Sequence, residues 1–170
     1  MSGVRRVSLG LIFLVAFQSF LFAQTKLREV DLRISGVGSG TSYSAVISKF
    51  GRPVSKKSER TSRDLSCTGS DLTDLTLRYS GLEIGLIGDG RGRNLKVAEI
   101  VVTSNRWQAS GIRVGFAPRE IIRRFGEPNS RANRGGRVTY HYVTPGNLGG
   151  VSFEFRNGRL VKIVMSETLC

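Results

Sequence analysis

At 170 residues the chain is long enough for one compact domain, or for two small units sharing a core. It carries 26 Lys+Arg against 13 Asp+Glu, a formal net charge of +13, with two cysteines and one histidine. Two cysteines and one histidine at unrelated spacings exclude an ordinary zinc pattern. The charge favours anionic partners: phospholipid headgroups, acidic polysaccharide, wall polymers or acidic protein surfaces.

Residues 1–23 read as a secretory signal. Arg5 and Arg6 supply a positive start, residues 9–17 are almost unbroken apolar, and Ala23 is a small residue before a cut that leaves Gln24. The alternative is an uncleaved anchor, for which the run is short against the ~18 apolar residues of a span. No cysteine lies near the cut, the nearest being Cys67. Without Arg5 and Arg6 the body keeps 24 basic and 13 acidic residues, a net +11. Export makes nucleic acid an unexpected partner for this charge, and no aromatics interleave the basic clusters as a stacking platform requires. A solvated basic surface is the competing reading.

Residues 24–35 form an N-terminal extension whose alternating stretch, 30–34, reads as an extra edge strand. The next segment is half of an internal duplication. Residues 36–53 align without a gap on 111–128: Gly36 with Gly111, Gly40 with Gly115, Val46 and Ile47 with Ile121 and Ile122, Phe50 with Phe125, Gly51 with Gly126, Pro53 with Pro128. Each copy predicts a glycine turn, then a helix of about nine residues with one apolar stripe, then a glycine stop and a proline. Thr41 or Ser42 caps the first helix; Pro118 and Glu120 suit the first turn of the second. Residues 54–74, which contain Cys67, read as a long polar loop.

Three alternating segments follow in each copy: 75–79, 81–87 and 97–102 in the first, matching 138–142, 150–155 and 160–165 in the second. Asn157-Gly158 is a strong hairpin signal between the last two. The expected fold class is therefore α+β: two tandem helix-plus-three-stranded antiparallel repeats, 36–104 and 111–170, joined by an inter-repeat linker at 105–110, with the helices packed on one face of the sheet. Leu75, Leu77, Tyr79, Leu82, Ile84 and Leu86 face the helices, together with Val138, Tyr140, Tyr142, Val151, Phe153 and Phe155. Thr76, Arg78, Glu83, Thr139, His141, Ser152 and Glu154 face the other way. Cys67 and Cys170 are a candidate disulfide in an oxidising compartment, with two free thiols as the alternative.

The segment 111–128, followed by three antiparallel strands, resembles the outer-membrane assembly lipoprotein family BamE (SmpA/OmlA). The tandem form resembles the β-lactamase inhibitory protein. The resemblance spans roughly residues 36–166 and implies an exported protein without catalytic residues that binds other proteins. The chain departs from both groups: it has no lipobox cysteine, and Cys67 and Cys170 do not reproduce disulfides within each unit.

No serine-nucleophile elbow occurs. The glycine-rich stretches at 36–40 and 88–92 lack dinucleotide-binding spacing. His141 is the sole histidine; a base needs a positioned partner, for which Glu154 or Glu83 are the candidates. The expected function is an exported, non-enzymatic protein-interaction module without cofactor or metal. Its binding surface is the open sheet face, with Arg78, Glu83, His141 and Glu154, plus the inter-repeat segment with Arg106 and Trp107. For Trp107 a packing role between the units is the alternative. The expected partner is another envelope or secreted protein; the other readings are charge-driven binding to anionic lipid or polysaccharide, and inhibition of a secreted hydrolase.

Overall fold

The computed structural model of the chain describes residues 33–61, 71–144 and 149–167. The signal segment, Cys67 and Cys170 lie outside the described residues. Two helices, α1 (Tyr43–Phe50) and α2 (Pro118–Phe125), accompany a short ribbon, β1 (Arg33–Ile34) with β2 (Val37–Gly38), and eight longer strands. These are β3 (Ser55–Thr61), β4 (Leu72–Tyr79), β5 (Leu82–Asp89), β6 (Lys96–Val102), β7 (Ser130–Arg134), β8 (Arg137–Val143), β9 (Gly149–Arg156) and β10 (Arg159–Glu167). All eight form one antiparallel sheet in the order β3-β4-β5-β6-β10-β9-β8-β7.

This overturns the expectation of an α+β molecule made of two helix-plus-three-strand repeats: the protein is mostly β, one sheet carrying two helices. The unforeseen strands are the edges, β3 and β7. Both are polar, with Ser55–Arg60 and Ser130–Arg134 exposed, so no face alternates in hydropathy. β3 occupies part of the presumed loop at 54–74. Arg33 and Ile34 pair with Gly38 and Val37 in the separate ribbon and add no strand to the edge of the large sheet.

The chain runs through the same local structures twice. Ser35-Gly36 and Ser110-Gly111 are both tight turns with positive φ at each residue. The Gly40 amide donates to the Val97 carbonyl as Gly115 does to Leu160, both at 2.8 Å. Ser42 caps α1 by accepting from the Ala45 amide at 3.4 Å; α2 instead starts on Pro118, with Glu120 accepting from the Ala117 amide at 2.6 Å. Each helix stops at a glycine whose amide returns to the carbonyl four residues back, Gly51 to Ile47 and Gly126 to Ile122. Strands β6 and β10 carry a register irregularity at matching places, around Ala98 and around Val161. The halves meet antiparallel at the β6–β10 seam, where Val102 pairs with Ile163 and Ile100 with Met165. A local two-fold through this seam thus relates the halves.

The core lies on one face. Cross-strand partners Leu77, Ile84, Ile100, Met165 and Val151 are buried, as are Leu82, Val102, Ile163, Phe153 and Tyr140. Val46 and Phe50 of α1, and Ile121 and Phe125 of α2, close over that layer; Phe125 stacks on Phe153 with centroids 5.9 Å apart. Both helices therefore cover the same side, and among the described residues nothing packs on the opposite, bare side of the sheet. Helices this short owe their stability to that packing.

Candidate functional site

Antiparallel pairing places directly opposed residues on one face, so the registers map the bare face row by row. Its central row crosses the whole sheet: Ser55, Arg78, Glu83, Val101, Val164, Ser152, His141 and Ser130. Arg78, Glu83 and His141 thus share one line, with a pair of half-buried valines at the seam. Arg78 Nε donates to Glu83 Oε2 at 2.8 Å. His141 Nδ1 lies 2.8 Å from Ser152 Oγ. At roughly 4.8 Å per strand, His141 and Arg78 stand about 24 Å apart. The two carboxylates considered as partners for His141 are engaged elsewhere: Glu83 with Arg78, and Glu154 with Arg137 Nη1 at 3.3 Å.

Trp107 and Arg106 lie away from this row. The Trp107 indole is half-buried on the helix side, edge-on to Phe50 at 5.5 Å, and its N–H donates to the Ser80 carbonyl at 2.8 Å. Arg106 is exposed. Trp107 thus packs against Phe50, while Arg78, Glu83, His141 and Glu154 stand on the bare face. The glycine-rich turn at 88–92 is closed on an internal anion. Asp89 Oδ1 accepts from the Arg91 amide at 3.1 Å and the Arg93 amide at 2.8 Å, and these bonds, Arg93 first, hold its carboxyl below the usual range.

Equivalent rows of the bare face differ sharply in charge between the halves. In the first half the row reads Glu59, Asp74, Ile87 and Lys96. At the corresponding positions of the second half it reads Arg134, Arg137, Arg156 and Arg159. These four arginines, all exposed, flank two adjacent hairpin tips, Gly135-Gly136 and Asn157-Gly158. Arg134, Arg137 and Glu154 line one shallow depression with Ala132 and Thr139. The Arg159 guanidinium donates to the Gly115 carbonyl at 3.4 Å. Like charges directly opposite across strands are destabilising. Without β7 this row could not be read from the sequence. A second depression, in the first half, is lined by Glu59, Asp74, Glu99 and Gly85.

Among the described residues no group of three or more His, Cys, Asp or Glu is placed to hold a metal. No helix among them is long and apolar enough to cross a membrane.

No family model matches the chain, and no curated protein matches it. Solved structures do resemble it. An extracellular protein containing an SCP domain from Bacillus anthracis aligns with 98% of this chain at 10% identity and a TM-score of 0.46. This chain spans 50% of that protein's length. A DUF4309 family protein from Bacillus subtilis aligns at 13% identity and a TM-score of 0.43, covering 75% of this chain and 78% of its own. A "putative beta-lactamase inhibitor protein" from Streptococcus mutans aligns at 17% identity and a TM-score of 0.30, covering 85% and 92%. Likenesses this distant assign neither a family nor a function to the chain.

Proposed function

We propose that this chain is an exported, non-enzymatic protein-interaction module of the bacterial cell envelope or secreted fraction, binding its partner through the bare face of the sheet. The observation that carries the reading is the asymmetry of that sheet. Among the described residues both helices cover one side, while the eight strands present a mainly polar face on the other, with Val101 and Val164 at its centre. A wide, preformed surface with an all-basic row in one half and a mixed row in the other suits partner recognition, since charge complementarity sets orientation and encounter rate. The inter-repeat segment contributes Arg106 to the solvent, but Trp107 is taken up by packing.

Photocrosslinking in producing cells tests the proposal. A crosslinker at Val164, at the centre of the bare face, should trap a discrete protein outside the cytoplasm, and one at Arg119 on α2 should not. Adducts only from Arg119, or a chain retained in the cytoplasm, would overturn it. Charge-driven binding to anionic lipid or wall polymer is the second reading, favoured by the net charge of +13. It predicts association that disappears as ionic strength rises, whereas a packed protein interface persists. Inhibition of a secreted hydrolase is a narrower form of the first reading, tested by whether the trapped protein is a hydrolase whose activity falls.

A further inference from the structure

We infer that the arginine row of the second half, Arg134, Arg137, Arg156 and Arg159, is a docking strip for an acidic segment of the partner protein, read through side-chain carboxylates. The inference rests on the protein-interaction reading and adds the partner's chemistry to it. The strip is formed by the sheet itself: the four residues occupy one register row over β7, β8, β9 and β10. Neighbouring strands set them at intervals of about 4.8 Å, a strip about 14 Å long. Three successive like-charged pairs stand opposite one another along it, and two hairpin tips keep all four in solvent. The repulsion is a fold-level cost that an anionic partner relieves.

Carboxylate is the favoured anion. All four residues carry guanidinium forks, which fit planar carboxylates bidentately. One carboxylate, Glu154, already sits in the depression, 3.3 Å from Arg137. A dense polyphosphate would place further negative charge against Glu154. An extended acidic segment, with side chains on one face about 6.7 Å apart, can straddle it. The corresponding row of the first half mixes Glu59 and Asp74 with Ile87 and Lys96, so only the second half presents an unbroken basic row, and the partner is held in one orientation.

The test uses the full chain and fluorescence anisotropy with a labelled peptide alternating Glu and Thr. Its Gln-for-Glu counterpart, inorganic polyphosphate and phosphatidylglycerol vesicles serve as competitors. Arg134→Thr with Arg156→Thr should weaken peptide binding about tenfold or more. Lys49→Thr with Lys56→Thr, which removes the same charge from the helix side, should change it less than about twofold. The arginine double variant should melt no lower than the parent, because relief of repulsion accompanies loss of the site. Equal losses in both double variants, or stronger competition by polyphosphate or vesicles than by unlabelled Glu peptide, would overturn the inference. If crosslinks at Val164 survive the arginine substitutions unchanged, the strip is refuted while the bare face remains the partner surface.

Discussion

Tyr79 and Tyr142 hold equivalent places in the two halves and make the same bond. Each phenol donates to the carbonyl of the glycine that ends its helix, Tyr79 to Gly51 at 3.2 Å and Tyr142 to Gly126 at 2.8 Å. Each ring also meets the last phenylalanine of that helix, Phe50 or Phe125. Tyr142→Phe removes the donor and should cost about 0.5–1.5 kcal/mol in urea unfolding. Burial, with smaller contributions from Glu127 and Tyr140, pushes the Tyr142 phenol up to about 12. A folded value above the usual 10 means that the stabilisation is complete below pH 10 and is lost as pH rises toward 12. Absorbance titration at 295 nm should show a late phenolate step that Tyr142→Phe removes; a parent chain without that step would contradict the assignment. Gly126 has φ 79° and ψ −164°, a region nearly confined to glycine. Gly126→Ala should therefore destabilise by about 1–3 kcal/mol, measured by thermal melting. These glycines were legible in the sequence because stop signal and proline recur together. The tyrosine bonds were not, since they join residues brought together only when each helix folds back over the sheet.

The central strands could be read directly because one covered face forces apolar residues to every second position. Leu82, Ile84 and Leu86 in β5 and Val151, Phe153 and Phe155 in β9 follow that rule and are buried. The edge strands escaped because their polar sequences, Ser55–Thr61 and Ser130–Arg134, carry no alternation in hydropathy. Their polarity has a use: charge on an exposed edge discourages pairing with another chain. Lys57, which pairs with Glu59, and its neighbours guard β3. Lys57→Val with Glu59→Val should produce concentration-dependent association by light scattering, and a variant that stays monomeric would argue against the guarding role. The face on which Arg78, Glu83 and His141 stand was likewise legible from alternation. Their common row was not, because register across six strands depends on the seam and on the irregularities at Ala98 and Val161.

At the scale of the molecule, the seam between β6 and β10 makes two halves into one sheet. Ile163 is fully buried there, opposite Val102. Ile163→Ala should cost about 2–5 kcal/mol, and both halves should still melt in a single transition, because they share one continuous sheet and one buried core. Separate transitions in calorimetry would mean that the halves fold independently. The duplication was legible in the primary structure, whereas the joining of its copies edge to edge was fixed by the pairing of two apolar strands that alternation alone leaves unassigned.

The most direct measurement is a cross-strand disulfide at the middle of the bare face. Val101 and Val164 are register partners on the side away from the helices, and opposed residues of antiparallel strands come within reach of a disulfide. Val101→Cys with Val164→Cys, oxidised in the folded chain and mapped by mass spectrometry after proteolysis, should give a 101–164 linkage in high yield with the melting temperature preserved. Failure of that linkage to form in chains that remain folded would contradict a continuous face shared by both halves.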